Sequence, residues 1–307
     1  MSEKRTKIVF VVATKDRPRE LARLIRSLEA QTRLPDEVIV VDGGRGSVEA
    51  FCRSVRAFPV RHVRGLPPSA SRQRNLGLEA APPDAGLIGF LDDDVVVEES
   101  ALEKMLLFFE EADGRVGGAA FNMLNHPPVA WPRVKLSPFA EAAGLYSRSR
   151  GAVSPAGFQT MIGQTWLTVY VDWLPTGASV WRREIFGRFR FDEWFEGYSY
   201  LEDLDFSYRV GKAYRLAVVA ESGYYHLPAA SGRGNGFEFG RREVLNRVHF
   251  VRKNPELSMA KCYLALASRL LMSLGLALRE RDFHHVQRAW GNVIGIGMSF
   301  GRIGSSA

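Results

Sequence analysis

Over the first hundred residues, short apolar runs alternate with stretches whose apolar positions recur at helical spacing. Residues 8–13 are continuously apolar, the pattern of a strand buried on both faces. Asp16 and Pro18 then supply helix-start signals, and Leu21, Leu24, Ile25 and Leu28 give one apolar helical face, which Pro35 terminates. Residues 37–41 read as a second strand, closed by Asp42-Gly43-Gly44, and residues 59–63 as a weaker third. A helix over 69–80, a strand over 87–91 and a helix over 98–111 complete the alternation. Such an order predicts an α/β fold with a largely parallel sheet covered on both faces.

Residues 114–125 suggest another strand, and 166–173 and 215–225 two more. Between them, 126–165 lacks clean periodicity and holds several prolines along with Trp131; a stretch of that length inside a compact domain is usually functional. From about residue 236 the pattern is helical. We therefore expect a catalytic domain over 1–235 and a basic helical extension over 236–307.

The formal net charge of +7 admits nucleic acid, an anionic membrane or a phosphorylated substrate as partner. No block of five basic residues appears, which argues against nucleic acid. Two cysteines, Cys52 and Cys262, build neither a disulfide framework nor a metal-ligand spacing, so a reducing cytoplasm is expected. The first apolar run is too short for a signal peptide and meets Lys15, Asp16 and Arg17 at once. Residues 262–278 come nearest to a membrane span but carry Arg269 in the middle.

The strongest chemical signal is Leu-Ile-Gly-Phe-Leu-Asp-Asp-Asp at 87–94. A buried strand would deliver three carboxylates to its carboxyl end, where open sheets hold ligands. Clustered acids repel one another, and a divalent cation with a taste for oxygen, Mg2+ or Mn2+, relieves the repulsion. The plainer reading is a solvated turn. Strands one and two also end in polar groups, Thr14 to Arg17 and Asp42 to Gly44, so the three loops would share a crevice.

Four segments then stand in order: Val-Val-Ala-Thr-Lys-Asp-Arg-Pro (11–18), Val-Ile-Val-Val-Asp-Gly-Gly (38–44), Ser-Arg-Gln-Arg-Asn-Leu-Gly-Leu (71–78) and Phe-Leu-Asp-Asp-Asp (90–94). Over roughly residues 6–230 the chain resembles the family 2 glycosyltransferases, inverting enzymes with the GT-A fold. The resemblance implies that Thr14, Arg17 and Asp42 contact the base and ribose of a nucleotide-sugar donor, and that Arg74 and Asn75 contact its nucleotide. It makes 92–94 the Asp-x-Asp motif: Asp92 and Asp94 flank the diphosphate with Asp94 as direct metal ligand, and Asp93 reaches the donor sugar. Tyr-Leu-Glu-Asp-Leu-Asp-Phe at 200–206 resembles the family's Glu-Asp motif, with Asp203 as catalytic base and Glu202 positioning it or substituting for it. Trp173, Gly177 and Ala178 fall in a segment resembling the acceptor-pocket turn, and His226 matches an additional metal or diphosphate contact. Each has a bland counterpart: Asp42 capping a turn, Arg17 and Arg74 solvated on helices, the acids as helix N-terminal charge, and His226 as a structural histidine.

In the tail, leucines are interleaved with basic residues such as Arg252, Lys261, Arg269, Arg279, Arg281 and Arg302. This suits either a helical cap or a helix on an anionic membrane; the second would place the protein peripherally on the cytoplasmic face. The expected activity is metal-dependent inverting transfer from a nucleotide sugar to a saccharide acceptor, free or lipid-linked, in surface polysaccharide synthesis. The alternatives are a catalytically silent nucleotide-sugar or glycan-binding module and a nucleotidyltransferase.

Overall fold

The computed structural model describes residues 6–127, 137–197, 199–228, 235–280 and 282–301. Trp131, Arg281 and Arg302 lie outside the described residues. In chain order the elements are β1 (Ile8–Thr14), α1 (Pro18–Glu29), β2 (Glu37–Asp42), α2 (Glu49–Ser54), β3 (Val60–Arg64), α3 (Ala70–Ala80), β4 (Leu87–Asp92), β5 (Val95–Val97), α4 (Ala101–Glu111), β6 (Val116–Met123), α5 (Pro138–Ala142), β7 (Val169–Val171), β8 (Ala178–Arg182), a 3-10 turn (Arg183–Gly187), α6 (Glu202–Gly211), β9 (Arg215–His226), α7 (Gly236–Lys253), α8 (Met259–Glu280) and α9 (Phe283–Gly301). Contacts divide the chain into two compact units, Met1–Pro128 with Ile162–Ala229 and Val129–Met161 with Ala230–Ala307.

In the first unit the described strands form one sheet in the order β3-β2-β1-β4-β8-β6-β9-β5, with β7 also on β9. The β3-β2-β1-β4 half is parallel, as the strand–helix alternation predicts. Register carries the function here: Thr14 pairs with Asp42, and Ala13 with Asp92, so three polar strand ends meet on one sheet edge. Alternate residues of β1 feed two cores. Ile8, Phe10 and Val12 pack with Leu21, Leu24, Ile25 and Leu28 of α1 on one face, and Val9 and Val11 with Phe90 and Trp181 in the core of the other. Each such side chain contributes roughly 1.5–3 kcal/mol on burial.

The second half of the sheet departs from the expected pattern. Antiparallel β8 inserts between β4 and β6, starting in the last two residues of the segment 173–179 read as an acceptor turn, and β5 and α2 are unanticipated short elements. The strand read over 166–173 shrinks to β7.

In the second unit, residues before 162 join the helices beyond 235, unlike the boundary drawn from sequence. The Tyr146 hydroxyl bonds Ala265 O (3.1 Å) and Ser268 Oγ (2.6 Å), Arg247 bonds Gly157 O, and Ser258 N–H donates to Pro155 O. By length and composition alone α8 could cross a membrane, with a mean hydropathy of 1.4. Helices α7 and α9 approach backbone to backbone through two glycine pairs. A Cβ on Gly291 would fall on Phe237 O, and one on Gly240 on Arg288 O; Gly236 and Gly295 meet His284 O and Arg241 O. Gly297, on the same helix, has nothing within 4 Å. Gly297→Ala should therefore gain up to about 1 kcal/mol of helix propensity. Gly291→Ala should instead lose about 1–3 kcal/mol to overpacking. Thermal midpoints of the two variants, moving in opposite directions, are the measurement.

Candidate active site

The site lies wholly in the first unit. Asp92 ends β4, and Asp93 and Asp94 turn the chain into β5. Neighbouring strand ends hold the two later acids. Thr14 Oγ1 donates to Asp93 Oδ2 (2.8 Å), and Arg17 Nη1 reaches Asp93 Oδ1 (3.0 Å) and Asp94 Oδ2 (3.5 Å). Burial pushes the Asp93 carboxyl up to about 6, against the pull of Thr14 and Arg17. On the other side His226 Nε2, at the end of β9, stands 3.3 Å from Asp94 Oδ1.

Arg74 of α3 joins this acidic loop to the second acidic motif. Its guanidinium is buried, donating from Nη2 to Asp92 Oδ1 (2.9 Å) and from Nη1 to Glu202 Oε1 (2.7 Å), and it sits over the Phe191 ring. Glu202 and Asp203 open α6, where the helix dipole favours anions. Burial drives the Glu202 carboxyl upward, opposed by the Arg74 charge. Asp203 is only half-buried, and its Oδ1 accepts the Leu204 N–H. Immediately before them Ser199 (φ 50°) and Leu201 (φ 76°) adopt left-handed backbone, a cost of order 1–3 kcal/mol each that fixes where α6 begins. A cavity of about 140 Å³ is bounded by Arg74, Asp92, Gly177, Glu202, Asp203 and His226, with Thr176 and Tyr224 among its other walls.

Two residues expected to contact the donor, Asp42 and Asn75, have partners within the protein. Asp42 is fully buried: Oδ1 takes the Gly44 N–H (2.7 Å), while Arg64 (2.9 Å), His62 (3.3 Å) and the Val48 N–H (3.4 Å) surround Oδ2. Burial alone would raise its pKa, but these donors, led by Gly44, hold it below the usual carboxylate range. Asn75 grips the backbone of Phe191 in both directions and Glu193 (3.0 Å), away from the cavity walls. Trp173 and Ala178 are buried. Gly177 does reach the cavity wall, but the room it leaves is filled by the Asp92 carboxylate, which a Cβ there would strike.

Three residues at this edge were given no role in the sequence reading. Gln73, buried beside Arg74, donates to Thr14 O (2.9 Å) and Val41 O (2.7 Å) and so ties the ends of β1 and β2 together. Arg64 and His62 clamp Asp42, and the run Arg61-His62-Val63-Arg64 on an edge strand was the available signal.

For a divalent cation, Asp94 and His226 form an adjacent oxygen and nitrogen donor pair facing the same edge, a set suited to Mn2+ or Mg2+ when substrate phosphates supply further oxygens. Asp92, expected beside Asp94 at the metal, has its Oδ1 on Arg74. Among the described residues no group of three His, Cys, Asp or Glu side chains is gathered for a metal. The residues present thus fit a cation held by two protein ligands and completed by its substrate.

The family model described as glycosyl transferase family 2 matches residues 9–162. No curated protein matches the chain significantly. Among solved structures, S. aureus TarS 1–349 is 16% identical, with a TM-score of 0.54 over 85% of this chain and 70% of that one. The same region of TarS in complex with UDP-GlcNAc is 16% identical, with a TM-score of 0.52 over 96% and 92% of the two chains. A longer TarS structure gives 14% identity and a TM-score of 0.54 over 93% of this chain and 55% of that one. At such identities the likeness is one of fold, the GT-A arrangement of a mostly parallel sheet. The family match spans half the chain and includes β1, β2, α3 and the acidic loop after β4, and on that ground the chain belongs to glycosyl transferase family 2.

Proposed function

We propose that this glycosyltransferase uses Mg2+ or Mn2+ and transfers a sugar, with inversion, from a nucleotide-sugar donor to a hydroxyl of a saccharide acceptor, free or lipid-linked. One observation carries the reading: Asp92 at the end of β4 and Glu202 and Asp203 of α6 line a single cavity, with Arg74 bonded to both Asp92 and Glu202. The UDP-GlcNAc complex of TarS supports a nucleotide-sugar donor for a chain of the same fold.

Asp94 and His226 would hold the cation, which supplies charge neutralisation for the departing nucleotide diphosphate. Thr14 and Arg17 fix Asp93 and Asp94 against their mutual repulsion. Asp203 takes the proton from the acceptor hydroxyl as its oxygen attacks the anomeric carbon, and the bond to the diphosphate oxygen breaks in the same displacement. Glu202, locked on Arg74, stays out of the proton transfer. Retention would need a second carboxylate as nucleophile beside the bond being broken, and the other acids here are engaged with Arg74, Thr14 and Arg17.

A nucleotide-sugar panel read by thermal shift, with and without Mn2+, tests the donor, because a ligand at 100 times its Kd adds about 2.7 kcal/mol to stability. The true donor should raise the midpoint only when metal is present, and Asp94→Ala should abolish that metal-dependent rise. Binding without any transfer or hydrolysis across donors and acceptors would make the chain a silent binding module. Release of pyrophosphate from a nucleoside triphosphate would make it a nucleotidyltransferase.

A further inference from the structure

The outer faces of α8 and α9 carry apolar side chains in heptad register. On α8, Leu264, Ala267, Leu271, Leu274 and Leu278 follow one another at steps of three and four, and all are exposed, Leu278 by 84%. On α9, Phe283, Val286, Trp290 and Val293 do the same, and the register continues through Gly297 to Phe300. The two helices run antiparallel. Tyr263 near the start of α8 stacks on Phe300 near the end of α9 (centroids 4.9 Å apart) and bonds Ser299 (2.9 Å). The stripes therefore meet at one end through this stack, and at the other Leu278 and Phe283 are five positions apart in the chain.

We propose that this hairpin is a self-association surface. Two copies of the chain pair their α8–α9 hairpins about a twofold axis, forming a four-helix bundle with these stripes as its core. Steps of three and four on both helices of an antiparallel hairpin are what such a bundle requires of each member, and a twofold axis lets each stripe meet its like. From the exposures of these side chains and the size of aromatic and aliphatic residues, each copy offers about 1,000 Å² of apolar surface. That exceeds the few hundred Å² that monomers usually expose and matches the roughly 800 Å² per partner of a stable interface.

Charge favours a protein partner over lipid. A helix lying on an anionic bilayer borders its apolar face with Lys and Arg. Here Arg269 of α8 and Arg288 of α9 both turn inward to the buried Glu243 of α7, at 3.1 and 2.9 Å. In sequence the charges at the ends of the stripes are of mixed sign, Lys261 at one end and Arg279, Glu280, Arg281 and Asp282 at the other.

Sedimentation of the full chain over a wide concentration range tests this independently of any activity. The expected mass at high concentration is twice that of one chain. Leu271→Glu combined with Trp290→Glu should raise the dimer dissociation constant on the order of 100-fold or more, with an unchanged circular dichroism spectrum and unchanged sugar transfer. If that pair misfolds, the milder Leu271→Gln should still weaken association. A chain that is monomeric at every concentration overturns the proposal, and if it also floats with phosphatidylglycerol vesicles the stripe is a lipid surface instead. A folded double variant that still pairs, or a mass of three or more chains, overturns it equally.

Discussion

Asp203→Asn lowers the rate of sugar transfer by about 10²–10⁴-fold, the usual contribution of a positioned general base, and leaves nucleotide-sugar affinity and thermal midpoint near those of the parent. Asparagine keeps the shape of the side chain and can still accept the Leu204 N–H that Asp203 accepts. What it loses is the ability to take a proton. Donor binding is spared because the residues that hold Asp93 and Asp94 belong to β1 and the segment after it, not to α6. Single-turnover transfer set beside calorimetric donor binding separates the two effects. Near-parental turnover would move the base to Glu202, whose carboxylate is now bound to Arg74.

Arg74→Met costs about 3–5 kcal/mol of stability, the penalty for breaking a buried ion pair by removing one partner. Arg74 is 4% exposed, so solvent screens the loss little. Without it Glu202 is left buried beside Asp203 with no opposing charge, and Asp92 loses the bond that orients it. The same substitution should therefore reduce transfer even at temperatures where the variant stays folded. Adding Glu202→Gln to Arg74→Met removes the stranded charge, so the double variant should recover part of the lost stability. Melting curves of the two singles and the double measure that coupling, and strict additivity would show that the bond seen between the two side chains stabilises nothing.

The parallel half of the sheet was legible because its strands are continuous apolar runs and its helices show one apolar face. The same pattern put Thr14, Asp42 and the three acids at strand ends, and parallel register then brings them to one edge. β8 was not legible: Ala-Ser-Val-Trp-Arg follows a Pro-Thr-Gly turn and is only five residues long, and its strand character comes from burial between β4 and β6. Arg74 and Asn75 stood out only through the family resemblance, and sequence does not say what they face. Arg74 meets Glu202, 128 positions away, and Asn75 meets Phe191, 116 positions away. Asp42 was equally ambiguous until Arg64 paired with it in register. In the tail, composition counts arginines without giving their direction, and Arg269 and Arg288 point at Glu243 rather than at solvent.

The α7–α9 glycines reverse a common expectation about where a chain tolerates change. Glycine usually marks loose, permissive backbone, yet Gly240 and Gly291 each face a carbonyl of the opposite helix with no space for a methyl group. A random-substitution library of this protein should thus be depleted at Gly240 and Gly291 about as severely as in the strands of the sheet, while Gly297, further along α9, accepts a small apolar side chain.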